Sequence, residues 1–375
     1  MSSERDIKMW TPNTVVLFLL ILVGGAVAFY RMAKGLGAST NMNDVYPWGF
    51  WLGFDVLGGV AMAAGGFIIA AAVYLFNWKK YKPIARPAVL TAFLGYLMAI
   101  IALFLDIGHP FRLWHPSIMW QVHSVMWIVA IHVILYTTTL ALEASPMFFE
   151  RFGMKNALTA VNKMMVGAVV FGVMLSTLHQ SSLGAVFLIA PARMSPLWFN
   201  SMLPYLFLLS CIPMGMAMVS TESMLSAKAF KHDIDKEIYY GLARGTLISL
   251  VIYLVIKLFF LFKDAGIGAI FDGSLEANMY IVEMAVGVVI PILILASRKN
   301  RTNLKSIFAV NILVIVGVLV NRLNVCVFSM QSYTSSKGAA YFPSLMEFLI
   351  TLGVIALGVF LFKMAAKHLP LFAKA

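Results

Sequence analysis

Ten stretches of this 375-residue chain are long and apolar enough to cross a lipid bilayer, and this settles the fold class before any motif is read. They fall at about 12–30, 50–76, 88–106, 119–142, 163–188, 198–221, 241–262, 278–296, 304–328 and 343–365. Hydrocarbon offers no partner to a backbone N–H or C=O, so runs of this length read as helices. The chain is predicted to be an all-α polytopic integral membrane protein, one membrane domain over 1–375 with about ten transmembrane helices and short connections. A composition of 61% hydrophobic and 12% charged residues excludes a soluble globular fold. The net charge of +12 is spread among short loops between spans, so lipid accounts for it and no nucleic acid is implied.

Orientation follows from the basic residues. The N-terminus, the C-terminus and the loops after helices 2, 4, 6 and 8 hold 19 Lys and Arg, against 6 in the other loops. Basic residues stay inside, so both termini are predicted to be cytoplasmic. Arg5, Lys8, the run Val15 to Val23 and Ala26-Val27-Ala28 also fit a signal peptide, but the run stays apolar to Tyr30 and reads better as an uncleaved first helix. Cys211 and Cys326 stand far apart with no CxxC, which leaves no iron–sulfur or zinc-ribbon ligand set. The outer loops 35–48, 108–116 and 335–343 are rich in aromatics and prolines. They read equally as an interfacial belt or as a docking surface for an extracytoplasmic partner.

Polar groups inside spans are costly and mark function or pairing. Asp55 stands roughly 8 Å inside helix 2 from the outer face, at 1.5 Å per residue. Asp106 closes helix 3 at that face, Gln121, His123 and Ser124 open helix 4, and His179-Gln180-Ser181-Ser182 lies in the outer half of helix 5. Such a set suits quinone chemistry, which needs two oxygens hydrogen-bonded and two protons moved in an apolar cleft. Helix 2 puts Asp55, Gly59, Met62 and Gly66 on one face, read either as close helix packing or as a cofactor slot. Lys257, Glu283, Arg322 and Glu347 read as neutralising ion pairs that fix packing, or else as an ion or proton path. Glu143 and Glu222 end helices 4 and 6, as capped edge residues or as cytoplasmic openings of a proton route. His132 with His179 is the one pair placed to hold a haem.

Several segments carry a family resemblance: Tyr46-Pro47-Trp48-Gly49 with Phe54-Asp55, Asp106-Ile107-Gly108, Ala141-Leu142-Glu143 with Phe149-Glu150-Arg151-Phe152-Gly153, Leu178-His179-Gln180-Ser181-Ser182-Leu183-Gly184, and Ala340-Tyr341-Phe342-Pro343-Ser344 with Glu347. Across nearly its whole length the chain resembles the polysulfide reductase NrfD family, nearest the ten-helix HybB-like and DsrP-like quinone-interacting membrane subunits. The resemblance implies a haem-free subunit of a respiratory oxidoreductase complex in a prokaryotic cell inner membrane, with no iron–sulfur cluster of its own. Such a subunit exchanges electrons between the menaquinone or ubiquinone pool and an extracytoplasmic, ferredoxin-like iron–sulfur subunit, alongside further subunits such as a hydrogenase or cytochrome. It also implies two helical bundles, with the quinone bundle over about 46–190. The family site carried over becomes Asp55, Asp106, His123, Ser124, His179 and Gln180, with Asp55, His123 and His179 catalytic. Hydrogenase-type relatives carry an acidic residue where Ile128 stands here, so the resemblance does not carry a proton path through helix 4 over to this chain, and whether His132 substitutes stays open. The alternative is a secondary transporter or ion pump working through Lys257, Glu283, Arg322 and Glu347; no internal repeat supports it.

Overall fold

In the computed structural model, residues 9–46, 48–230 and 233–372 are described; Arg5, Lys8, Pro47 and His232 lie outside the described residues. Among these residues ten helices are long and apolar enough to span a membrane: α1 (Pro12–Lys34), α2 (Trp51–Leu75), α3 (Lys79–Asp106), α4 (Val125–Arg151), α5 (Lys155–Ile189), α6 (Leu203–Phe230), α7 (Lys236–Ala265), α8 (Leu275–Ala296), α9 (Leu304–Ser336) and α10 (Leu345–His368). The ten expected spans are all present, and most run further than hydropathy alone indicates. α3 opens with a 3-10 turn over Lys79–Tyr81 and becomes α-helical at Lys82 rather than near 88, because Pro83 falls in the first α-helical turn, where a missing N–H leaves no bond unmade; Pro87 is carried inside the helix. α4 begins later than expected. Two short 3-10 turns, Pro110–Arg112 and His115–Ser117, occupy the loop between α3 and α4, and the Ser124 side chain caps α4 by accepting from the Trp127 N–H at 3.4 Å.

Helices α2 to α5 pack as one bundle and α6 to α9 as a second, with α2 and α5 meeting α6, and α2 also meeting α9. α1 pairs with α10 on the outside of the first bundle, against α3. α2 is the axis of this arrangement: 78% of its most apolar stretch is buried, against 11% for α1. It can serve as an axis because its glycines open different faces. A Cβ on Gly65 would lie 2.8 Å from the Gly215 carbonyl oxygen of α6, and one on Gly66 would lie 2.4 Å from Ala92 Cβ of α3. The small-residue contact that draws α1 onto α10 is similar, since a Cβ on Gly24 would approach Gly353 Cα to 2.8 Å.

The second bundle is bolted by charge. Lys257 and Glu283 form a fully buried ion pair between α7 and α8. Glu283 also accepts from Trp198 Nε1 (2.8 Å), Asn321 Nδ2 (2.9 Å) and Asn324 Nδ2 (2.8 Å), so its oxygens are saturated. The expected neutralising pairs are only partly formed. Arg322 bonds Asn321 Oδ1, the Phe207 carbonyl and Ser210 Oγ, and stacks 3.8 Å from the Phe207 ring centre. Glu347 belongs elsewhere: with Ser344 it forms the capping box that starts α10. It also accepts from the Tyr341 hydroxyl, whose oxygen in turn accepts the Phe50 N–H at 2.7 Å. Burial, reinforced by the Glu347 carboxylate, raises the pKa of the Tyr341 phenol and keeps it a donor. These contacts tie the segment before α10 to the opening of α2.

Candidate functional site

His179 stands on the inward face of α5, fully buried, with neither ring nitrogen hydrogen-bonded within the protein. Around it are the rings of Tyr96 from α3 at 5.7 Å and His132 from α4 at 6.4 Å, with Tyr136 packed edge-on to Tyr96 at 4.7 Å. The hydroxyls of Tyr96, Tyr136 and Ser176 and the Gln180 Oε1 are likewise buried without a partner. Leaving one such group unsatisfied costs about 1–3 kcal/mol, and native interiors rarely tolerate it. Here six polar atoms on three helices share one nest, which is the signature of a place built to meet something polar. Tyr136 and Ser176 are near enough to interact without closing a hydrogen bond.

Local backbone explains how α2 joins this nest. The helix runs as a π-helix over Trp51–Gly58 and breaks at Ala64, whose N–H bonds Ala61 O rather than Val60 O. The Gln180 amide donates to Val60 O at 2.9 Å, which fixes the side chain and leaves its own buried oxygen without a partner. Wide π turns recur at functional sites because they redirect side chains and carbonyls. At the far edge His132 Nδ1 lies 3.3 Å from Ser182 Oγ, and that hydroxyl donates to the His179 carbonyl at 2.9 Å.

Asp55 and Asp106 occupy a second group, at the α2–α3 end facing α1 and α10. The Thr351 hydroxyl of α10 donates to Asp55 Oδ2 at 2.6 Å. Arg31 of α1, itself buried, donates to the carbonyls of Leu105 and Ile107 at 2.6 Å each and lies within electrostatic reach of Asp106. Asp106 is in turn electrostatically coupled to Asp55 and Glu347. Gln121 and His123 lie exposed in the loop between α3 and α4, with Ser124 at the cap of α4. The structure thus brings His179 and Gln180 together, sets Asp55 and Asp106 as a neighbouring pair, and leaves His123 on the surface. Tyr96 and Tyr136, which the sequence did not single out, complete the nest. Tyr136 stands one turn from His132 on the same face of α4, a spacing visible in the sequence.

The profile of the family described as "Polysulphide reductase, NrfD" matches residues 38–332. A protein of Nitratidesulfovibrio vulgaris is 34% identical over 371 residues, covering 97% of this chain and 95% of its own length. The "Probable Ni/Fe-hydrogenase 2 b-type cytochrome subunit" of Escherichia coli is 30% identical over 373 residues, 98% of this chain and 92% of that protein. The "Menaquinone reductase, integral membrane subunit" of Nitratidesulfovibrio vulgaris is 27% identical over 409 aligned positions, 99% of this chain and 93% of that protein.

Proposed function

The chain belongs to the polysulphide reductase NrfD family of multi-pass inner-membrane subunits, and from that premise we propose that it is the quinone-reactive subunit of a respiratory oxidoreductase complex. The observation that carries the proposal is the nest of unpartnered polar atoms around His179 inside an apolar four-helix bundle. A quinone ring presents two carbonyl oxygens, and the neutral imidazole, the two phenols and Ser176 supply donors for them. His179 hydrogen-bonds one quinone oxygen and exchanges its proton. Asp55 lies five residues before Val60 on α2, roughly 7.5 Å along the axis, and is the next carboxylate able to take a proton onward.

Electrons pass to or from an iron–sulfur subunit at the face opposite the termini, and the termini face is cytoplasmic, in keeping with the excess of basic residues there. A b-type haem, the cofactor suggested by the name of the Escherichia coli relative, requires a flat slot between two imidazoles. The side chains here do not form one: Tyr96 packs against the His179 ring and Ser182 bonds His132. The transporter reading has less behind it, since Glu283 is held by four donors and acts as a bolt. The test is single replacement, His179→Asn and Asp55→Asn, with quinone-linked electron transfer measured in the assembled complex. Both are expected to fall; wild-type turnover in both overturns the proposal.

A further inference from the structure

Arg244 is an exposed cation at the head of a lipid-facing stripe. On α7 the residues Arg244, Ile248, Val251, Val255 and Phe259 recur at helical spacing, and each is exposed. The last four are apolar, as a surface against hydrocarbon requires. Arg244 stands eight residues after the start of α7 at Lys236, roughly 12 Å along the axis from the termini face. A guanidinium is costly on such a surface unless it reaches the headgroup layer or an anion. Among the described residues it forms no ion pair and no hydrogen bond.

The start of α3 packs on the start of α7, where Tyr81 and Ile84 share an apolar cluster with Ile238 and Leu242. Gly241, one turn before Arg244, forms a notch there. A Cβ at this position would fall 2.2 Å from the Tyr81 hydroxyl and 3.1 Å from Lys80 Nζ, so both groups converge on one point of α7. Arg244 lies within electrostatic reach of Tyr81, and the Lys80 ammonium is 5.2 Å from the centre of the Tyr81 ring. An ammonium, a phenol and a guanidinium thus border one notch where the two bundles meet. Each can donate, and none is hydrogen-bonded through its side chain among the described residues. Glu237 stands one turn back on α7 and pairs with neither base. Beside the notch Phe76 and Trp78 are exposed, with ring centres 5.7 Å apart, and Trp78 lies 6.2 Å from Tyr81. Aromatic rings of this kind settle at the headgroup level of a bilayer.

We propose that the Gly241 notch holds the phosphate of an anionic phospholipid from the leaflet on the termini side. The phosphate accepts from the Arg244 fork, from Lys80 and from the Tyr81 hydroxyl, while the acyl chains follow the apolar stripe of α7. That stripe begins one turn below the donors, and this continuity selects a lipid over a free anion. A lipid seated here touches α3 and α7 together and braces the first bundle against the second. The site is independent of the quinone reading, because none of its residues belongs to the nest around His179.

The test uses the full chain, purified in detergent and stripped of lipid. It is titrated with phosphatidylglycerol, with phosphatidylcholine of the same acyl chains, and with inorganic phosphate. Native mass spectrometry counts retained lipid, and thermal unfolding reads stabilisation. Wild type is expected to retain phosphatidylglycerol and to unfold later with it, and to gain little from the other two. Arg244→Gln and Lys80→Gln are each expected to weaken the apparent affinity about fivefold, the scale of one basic side chain at an anionic surface, and the double variant is expected to retain no lipid. Tyr81→Phe removes a neutral donor and is expected to weaken it less. Lys155→Gln removes an exposed charge from the same face at the start of α5 and is expected to bind as wild type does. Equal retention of phosphatidylglycerol by wild type and the double variant overturns the site, as does an equal loss in Lys155→Gln. Equal retention of phosphatidylcholine would mean that acyl chains alone bind there, and equal stabilisation by inorganic phosphate would mean a free-anion site; either result overturns the proposal.

Discussion

A histidine sealed among apolar helices with both nitrogens unpaired is a destabilising choice, so its replacement separates stability from function. His179→Phe fills similar space and removes two unsatisfied polar atoms. The variant is expected to unfold no earlier than wild type, and at most about 1–3 kcal/mol later, while quinone-linked turnover is lost. Thermal unfolding and turnover on the same preparation check this. His123 provides the control: it is exposed in the loop between α3 and α4, so His123→Ala is expected to leave turnover near wild type. The residue types were legible from the sequence and their partners less so. His179 and Gln180 stand out because polar residues are rare in spans. The bond from Thr351 to Asp55 joins residues 296 positions apart, and no local pattern announces it. His123 was expected inside a span, but α4 starts only at Val125, which leaves His123 exposed in the segment before it.

At the scale of elements, α2 sets the tolerance of the whole bundle. Gly65 faces the backbone of α6, which cannot swing aside as a side chain can. Gly65→Leu is expected to prevent stable assembly, measured as loss of the monodisperse peak in detergent. Gly25, with open space where its Cβ would be, is expected to accept Ala or Leu without effect. The α7–α8 bolt gives a second test. Lys257→Met strands Glu283 in the span, and breaking a buried pair in this way costs about 3–5 kcal/mol. The double change Lys257→Met with Glu283→Met removes both charges and is expected to recover most of that loss. A double variant as unstable as the single would show that the other donors to Glu283 dominate. Helix number was readable because hydropathy reports burial in lipid; helix ends were not, because α3, α4 and α5 run past the hydrocarbon on polar residues that caps and turns keep helical.

Over the whole molecule, the two bundles differ in what their buried polar groups gather round: the unpartnered imidazole of His179 in the first and the Lys257–Glu283 pair in the second. The membrane class was legible from apolar run lengths. The pairing of α1 with α10 was not, since its close glycine contact and the bond from Lys363 to Thr14 join opposite ends of the sequence. This division predicts how a ligand should act. A quinone-site inhibitor that binds only the folded protein stabilises it by about 2.7 kcal/mol at a hundred times its dissociation constant. If the nest is the site, that stabilisation is expected in wild type and in the Lys257→Met with Glu283→Met variant, where the first bundle is untouched. It is expected to vanish in His179→Phe, although that protein is folded. Thermal shift titrations on the three proteins read the outcome directly. Stabilisation that survives His179→Phe but disappears in the second-bundle variant would move the binding site to α6–α9 and reverse the roles assigned to the two bundles.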